Sequence, residues 1–180
     1  MLDIAVAYNK YKFVGQEFLT WLWYMIDNEI GILTAAEPDM ESIAIGNKVV
    51  FENRNLKDTV EVITIKGDEA DLAEGSIALS KGATVSEMNL VITSNDSQWR
   101  FGIKGENLSL SSLKVPETGN IENKEDEEDG AVLEKIFLCE KAVNIMEGLF
   151  KLFIKLRISE DWHRNTVPAM QKWIIGNKNV

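Results

Sequence analysis

The stretch from Gly130 to Ile158 constrains the fold most, because its apolar residues recur at alternating steps of three and four along two adjoining stripes. One stripe holds Val132, Ile136, Cys139, Val143, Met146, Phe150 and Phe153. The other holds Leu138, Ala142, Ile145, Leu149, Leu152 and Leu156. This spacing predicts one long helix whose combined apolar face is too wide for a single partner. The helix is therefore expected to pack on a sheet and also against another helix or another subunit. After it, Ser159 is placed as the N-cap of a last helix, with Glu160 and Asp161 at that helix's positive end, and Pro168 is expected to kink it before Trp173.

A second helix is predicted from Gly15 to Asn28. Phe18, Leu22 and Ile26 form its stripe, and Trp21 and Met25 lie beside them, so apolar residues cover most of its circumference and burial is expected. From Ser42 to Lys66 the period changes to two. The Gly46-Asn47 pair between Ile43-Ile45 and Val49-Phe51 predicts a short hairpin, and Val60 to Lys66, apolar on both sides, predicts a strand inside the sheet. An amphipathic helix follows from Asp68 to Lys81, with Gly82 placed as its left-handed cap. The clearest hairpin joins Thr84–Ser94 to Gln98–Lys104 through Asn95-Asp96-Ser97, and a further short strand is expected at Leu108 to Leu113. Between Pro116 and Gly130 the chain turns acidic, with seven acids and one lysine, and reads as a surface linker at about 116–130.

Composition fits one domain over residues 1–180. The chain is 45% hydrophobic, too rich in apolar residues for a disordered polypeptide, and of a length suited to one core. The fold class expected is α+β: an antiparallel sheet of five or six strands with one crossover helix, packed against the aromatic N-terminal helix and a long C-terminal helix pair. No apolar run approaches the ~18 residues of a membrane span and no leader-like segment opens the chain, so a cytoplasmic protein without a membrane partner is expected.

Most catalytic constellations lack their residues. One histidine, His163, cannot build a multi-histidine metal site, and the single Cys139 sits on an apolar stripe, where it reads as a small hydrophobe. Neither GxxxxGK[ST] nor GxGxxG occurs, so the familiar phosphate cradles are missing. Glu125, Glu127 and Asp129 have the spacing of the first ligands of a calcium loop, but the twelfth position is Ile136 where a glutamate is required. No catalytic residue, metal or cofactor is assigned, and a non-enzymatic protein is expected. Glu17, Asp27 and Glu29 are the only carboxylates beside a large apolar group. Two of them with raised pKa values in one cleft would reopen the enzyme reading.

Charge is distributed unevenly. The net charge is -10, yet residues 131 to 180 carry eight basic and five acidic side chains, and residues 1 to 130 carry 11 and 24. Lys151, Lys155, Arg157, Arg164 and Lys172 are thus the candidate phosphate-contacting residues, with Lys10 and Lys12 a smaller group. Helix-end placement of cations explains the same pattern without a ligand.

The segment FVGQEFLTWLWY, Phe13 to Tyr24, resembles a signature of proteins related to the bacterial recombination-associated protein RdgC. The run DLAEGSIALSKGATVSEMNLVI, the hairpin ending SQWRFGIK and the long apolar helix are similar in order to that family's acidic helix, glycine turn, strand pair and late helix. The resemblance covers most of this chain and about the C-terminal half of a full-length family member. Such proteins form ring-shaped dimers around duplex DNA, without sequence preference, and restrain RecA-driven strand exchange. The resemblance therefore implies sequence-independent binding of double-stranded DNA, or a place in a recombination-related assembly at the nucleoid.

The alternative expectation is a protein-interaction or oligomerisation module that keeps the fold without binding DNA and meets a basic protein partner. Trp21, Phe150 and Phe153 are the candidate interface residues of a homodimer formed through helical apolar surface.

Overall fold

The two apolar periods of the sequence separate in space into a sheet and a helical layer. The computed structural model describes residues 13–54, 60–67, 72–117 and 127–176. Helices α1 (Phe13–Asn28) and α2 (Ile30–Ala36) lead into strands β1 (Ser42–Arg54) and β2 (Val60–Lys66). Helix α3 (Leu72–Ser80) then precedes β3 (Thr84–Ser94), β4 (Ser97–Lys104) and β5 (Leu110–Lys114), and α4 (Glu127–Arg157) and α5 (Val167–Gly176) follow. The five strands form one antiparallel sheet in the order β2-β1-β3-β4-β5, so α3 is the crossover that carries the chain past β1. The fold class is α+β, as the periodicities imply.

Two strand expectations are corrected. Gly46-Asn47 makes no hairpin: β1 runs through it as a single strand, and Gly46, Asn47 and Lys48 bulge opposite Asn89 as the register passes from Ile45↔Leu90 to Val49↔Met88. Both flanks pair with β3, which overrides the turn preference of the dipeptide. The bulge is fastened by Asn89 Nδ2 donating to Asn47 Oδ1 at 2.8 Å and by the Lys48–Glu87 ion pair at 2.7 Å. Strand β2 is not interior but an edge strand. Its Ile63 and Ile65 turn towards the helices, while Val60 and Val62 are 50% and 58% exposed.

Local chemistry sets the other junctions. Gly82, at φ +89°, ends α3 in the left-handed conformation, and the Ala83 N–H reaches back to the Ala78 carbonyl. Asn95 and Asp96 both take positive φ, giving the two-residue turn whose twist suits the β3–β4 hairpin. The acidic tract at 118–126, the residues at 68–71 before α3, and Lys10 and Lys12 lie outside the described residues; α4 begins at Glu127. Ser159 closes α4 instead of capping the next helix, since its hydroxyl donates to the Leu156 carbonyl at 2.7 Å. Pro168 is accommodated by a π-helical turn, Trp162–Thr166, in which the Val167 N–H bonds to the Trp162 carbonyl.

The core lies between α1 and the sheet and extends under the C-terminal half of α4. Phe18, Leu19, Trp21 and Leu22 of α1 meet Val85, Met88, Leu90 and Ile92 of β3 in one buried cluster with Ala142, Ile145, Leu149 and Phe153 of α4. Gly15 lets α1 approach the backbone at Gly105, beside β4, closely enough that a side chain has no room.

Candidate interaction surface

The five candidate cations do not form a free basic face. Lys151 pairs with Glu147 at 2.8 Å and Arg164 with Glu160 at 3.3 Å, both one helical turn apart. Arg157 Nε donates to Glu17 Oε2 at 2.8 Å and its guanidinium lies over the Trp162 ring. It thereby joins the end of α4 to α1. Lys155 and Lys172 are exposed and make no ion pair among the described residues. A phosphate approaching this region would meet three cations already facing carboxylates.

The carboxylates beside α1 are also dispersed in role. Glu17 is held by Arg157, and the Glu29 N–H bonds to the Met25 carbonyl at the α1–α2 junction. Asp27 accepts a hydrogen bond from Trp173 Nε1 at 3.1 Å, and burial pushes its carboxyl above the ordinary aspartate value, with that hydrogen bond opposing the shift. Because the folded state holds this proton more tightly than the unfolded chain, the associated stability is present below the ordinary value of 3.8 and is lost as pH rises through the folded value. Asp27→Asn, which keeps the oxygen acceptor for Trp173, is expected to raise the melting temperature at pH 7. The gain should vanish at about pH 3, and thermal unfolding followed by circular dichroism at both values checks it. Glu17, Asp27 and Glu29 each face a different partner, His163 is exposed, and no metal-holding cluster occurs among the described residues.

Trp21 and Phe153 are not interface residues. Both are 0% exposed, and their rings pack 5.4 Å apart inside this chain's own core, with Phe150 half-buried beside them. The apolar stripe of α4 meets its intramolecular partners there, which leaves the part without a partner among the described residues at the other end of the helix. Trp99 Nε1 donates to the Leu138 carbonyl at 3.0 Å and Lys141 Nζ to Ser94 Oγ at 3.0 Å, so the β3–β4 hairpin reaches α4 at Leu138 to Lys141. Before that point the helix projects.

On the projecting half Val132 and Ile136 are 55% and 48% exposed and Leu133 and Phe137 are 65% and 64% exposed, and Val143, just past the hairpin contact on the same stripe as Val132 and Ile136, is 49% exposed. Val132, Ile136, Cys139 and Val143 line a shallow groove with Lys135, Glu140 and Asn144. Leu133 and Phe137 fall off both stripes of the long helix, and that misfit was the available sequence signal that this half is not simply core. No family model, curated protein or solved structure matches this chain.

Proposed function

We propose that the chain is a non-enzymatic protein-interaction module, and that the projecting half of α4 is the surface it presents. The observation that carries this reading is the group of large apolar side chains Val132, Leu133, Ile136, Phe137 and Val143, each about half exposed or more, on a helix anchored at its other end by a buried aromatic cluster. An apolar patch of this kind on a rigid element costs solubility unless a partner covers it, and it differs from isolated surface apolar residues by being contiguous. The anchored half supplies rigidity, so docking on the projecting half requires little ordering of the helix itself. The intramolecular pairing of Lys151, Arg157 and Arg164, with the net charge of -10, favours a protein partner over duplex DNA.

Fluorescence anisotropy of a labelled duplex tests this reading. The expected result is a flat titration from low to physiological salt. Binding that weakens log-linearly with salt and disappears in a Lys151→Glu, Lys155→Glu, Lys172→Glu variant would overturn it in favour of a DNA-binding function.

A further inference from the structure

The groove on α4 has a heptad arrangement that specifies its own occupant. Ile136 and Val143 take a positions and Val132 and Cys139 take d positions. Lys135 then falls at g and Glu140 at e, one on each flank of the apolar seam. Between parallel helices a g residue faces the e residue five places later on the other helix, which matches Lys135 to Glu140 of a second copy. The two-fold repeats the pair on the opposite flank. Both side chains are exposed, and neither is in an ion pair among the described residues, unlike Lys151, Arg157 and Arg164. Although the chain as a whole repels its own copies, the flanks of this seam carry one charge of each sign and complement themselves.

We infer that the occupant of this groove is a second copy of the chain, which pairs α4 in parallel over Val132 to Val143, with the two Cys139 residues facing each other. The g-to-e′ ion pairs fix parallel register, and the two-fold that repeats them on the opposite flank calls for two strands. From Met146 onward the same stripe turns into the chain's own core, where Met146 and Phe153 are buried and Phe150 packs edge-on to Phe18, so the seam ends there and the helices part. This inference rests on the interaction-module reading and deepens it by naming the partner.

Sedimentation velocity and cysteine cross-linking on the full chain test it. The unmodified protein should sediment as a dimer at micromolar concentration, and a short bis-maleimide should join Cys139 to Cys139 of the partner subunit, giving a dimer band that Cys139→Ser abolishes. Lys135→Glu places two acids face to face at both flanks and should weaken dimerisation by roughly tenfold or more. The double exchange Lys135→Glu, Glu140→Lys should restore it. Both positions are exposed, so circular dichroism should report an unchanged fold in these variants. A monomer at all concentrations, with no cross-link, overturns self-pairing; if the duplex titration is also flat, the interaction-module reading stands with a different protein partner. A dimer that cross-links but is not rescued by the double exchange overturns the parallel register. Cation-dependent duplex binding, in contrast, is the result that removes the interaction-module reading itself.

Discussion

Phe153→Ala is expected to destabilise the chain by about 4 kcal/mol, a large fraction of the whole stability of a domain this size. Phe153 is 0% exposed, and its ring lies 5.5 Å from Phe18, 5.4 Å from Trp21, 6.0 Å from Phe150 and 5.5 Å from Trp162. It is the side chain on which α1, α4 and the π-helical turn converge. Truncation removes the transfer free energy of the ring and leaves a cavity between three elements that cannot all close upon it. Urea unfolding monitored by tryptophan fluorescence should show the midpoint falling sharply. The same measurement on Phe137→Ala, whose ring is mostly exposed, should show a change within about 0.5 kcal/mol. Comparable losses at the two positions would mean that the projecting half of α4 is packed against something the fold does not explain.

Gly15→Ala should cost about 3 kcal/mol, against the usual sign for a helical glycine. A methyl group at Gly15 would overlap the Gly105 carbonyl oxygen and lie 2.8 Å from its carbon, and both of these are backbone atoms that no rotamer change can move aside. Either α1 lifts from the sheet or the β4–β5 connection shifts. Because α1 supplies Phe18, Leu19, Trp21 and Leu22 to the core, a small displacement there disturbs many buried contacts at once. Gly31 in α2 provides the opposing control: nothing lies within 4 Å of its added methyl group, and Gly31→Ala should stabilise by roughly 0.5 kcal/mol through the lower entropy of the unfolded chain. Thermal melts of the two alanine variants should therefore move in opposite directions.

The contrast between these glycines also shows what a linear reading can and cannot contain. Phe18, Trp21 and Leu22 announce a buried helix through spacing alone, and Asn95-Asp96 announces a hairpin, because each signal is local and nothing distant competes with it. Gly46-Asn47 carries the same kind of signal, but β3 pairs on both sides of it, and the dipeptide is absorbed as a bulge. β2 misleads for a related reason: Val60 and Val62 are β-branched residues suited to any strand, and only the order of strands decides whether a second layer covers them. The stripes of α4 predict a helix that needs more than one neighbour. They do not say which half finds its neighbour within the chain, and so Trp21 and Phe153 read as well for an interface as for a core. The candidate cations are equally ambiguous in one dimension. The four-residue spacing of Lys151 from Glu147 and of Arg164 from Glu160 is visible in the sequence, whereas Arg157 and Glu17 meet only after α4 folds back on α1.

The π-helical turn at Trp162–Thr166 has a consequence for how much change this end of the chain tolerates. One residue more than an α-helical turn requires is wound into it, so the positions after Val167 are rotated about the axis relative to those before. That offset lets Trp162 point to Phe153 while Trp173, further along, reaches Trp23, Tyr24 and Asp27. A single inserted or deleted residue would turn one of these two tryptophans away from its neighbours. Apart from Trp162 and Thr166, which are buried, length rather than side-chain identity is the quantity to expect unchanged in that short stretch of any functional variant, and the stretch behaves as a phase-setting joint where a surface loop would behave as slack.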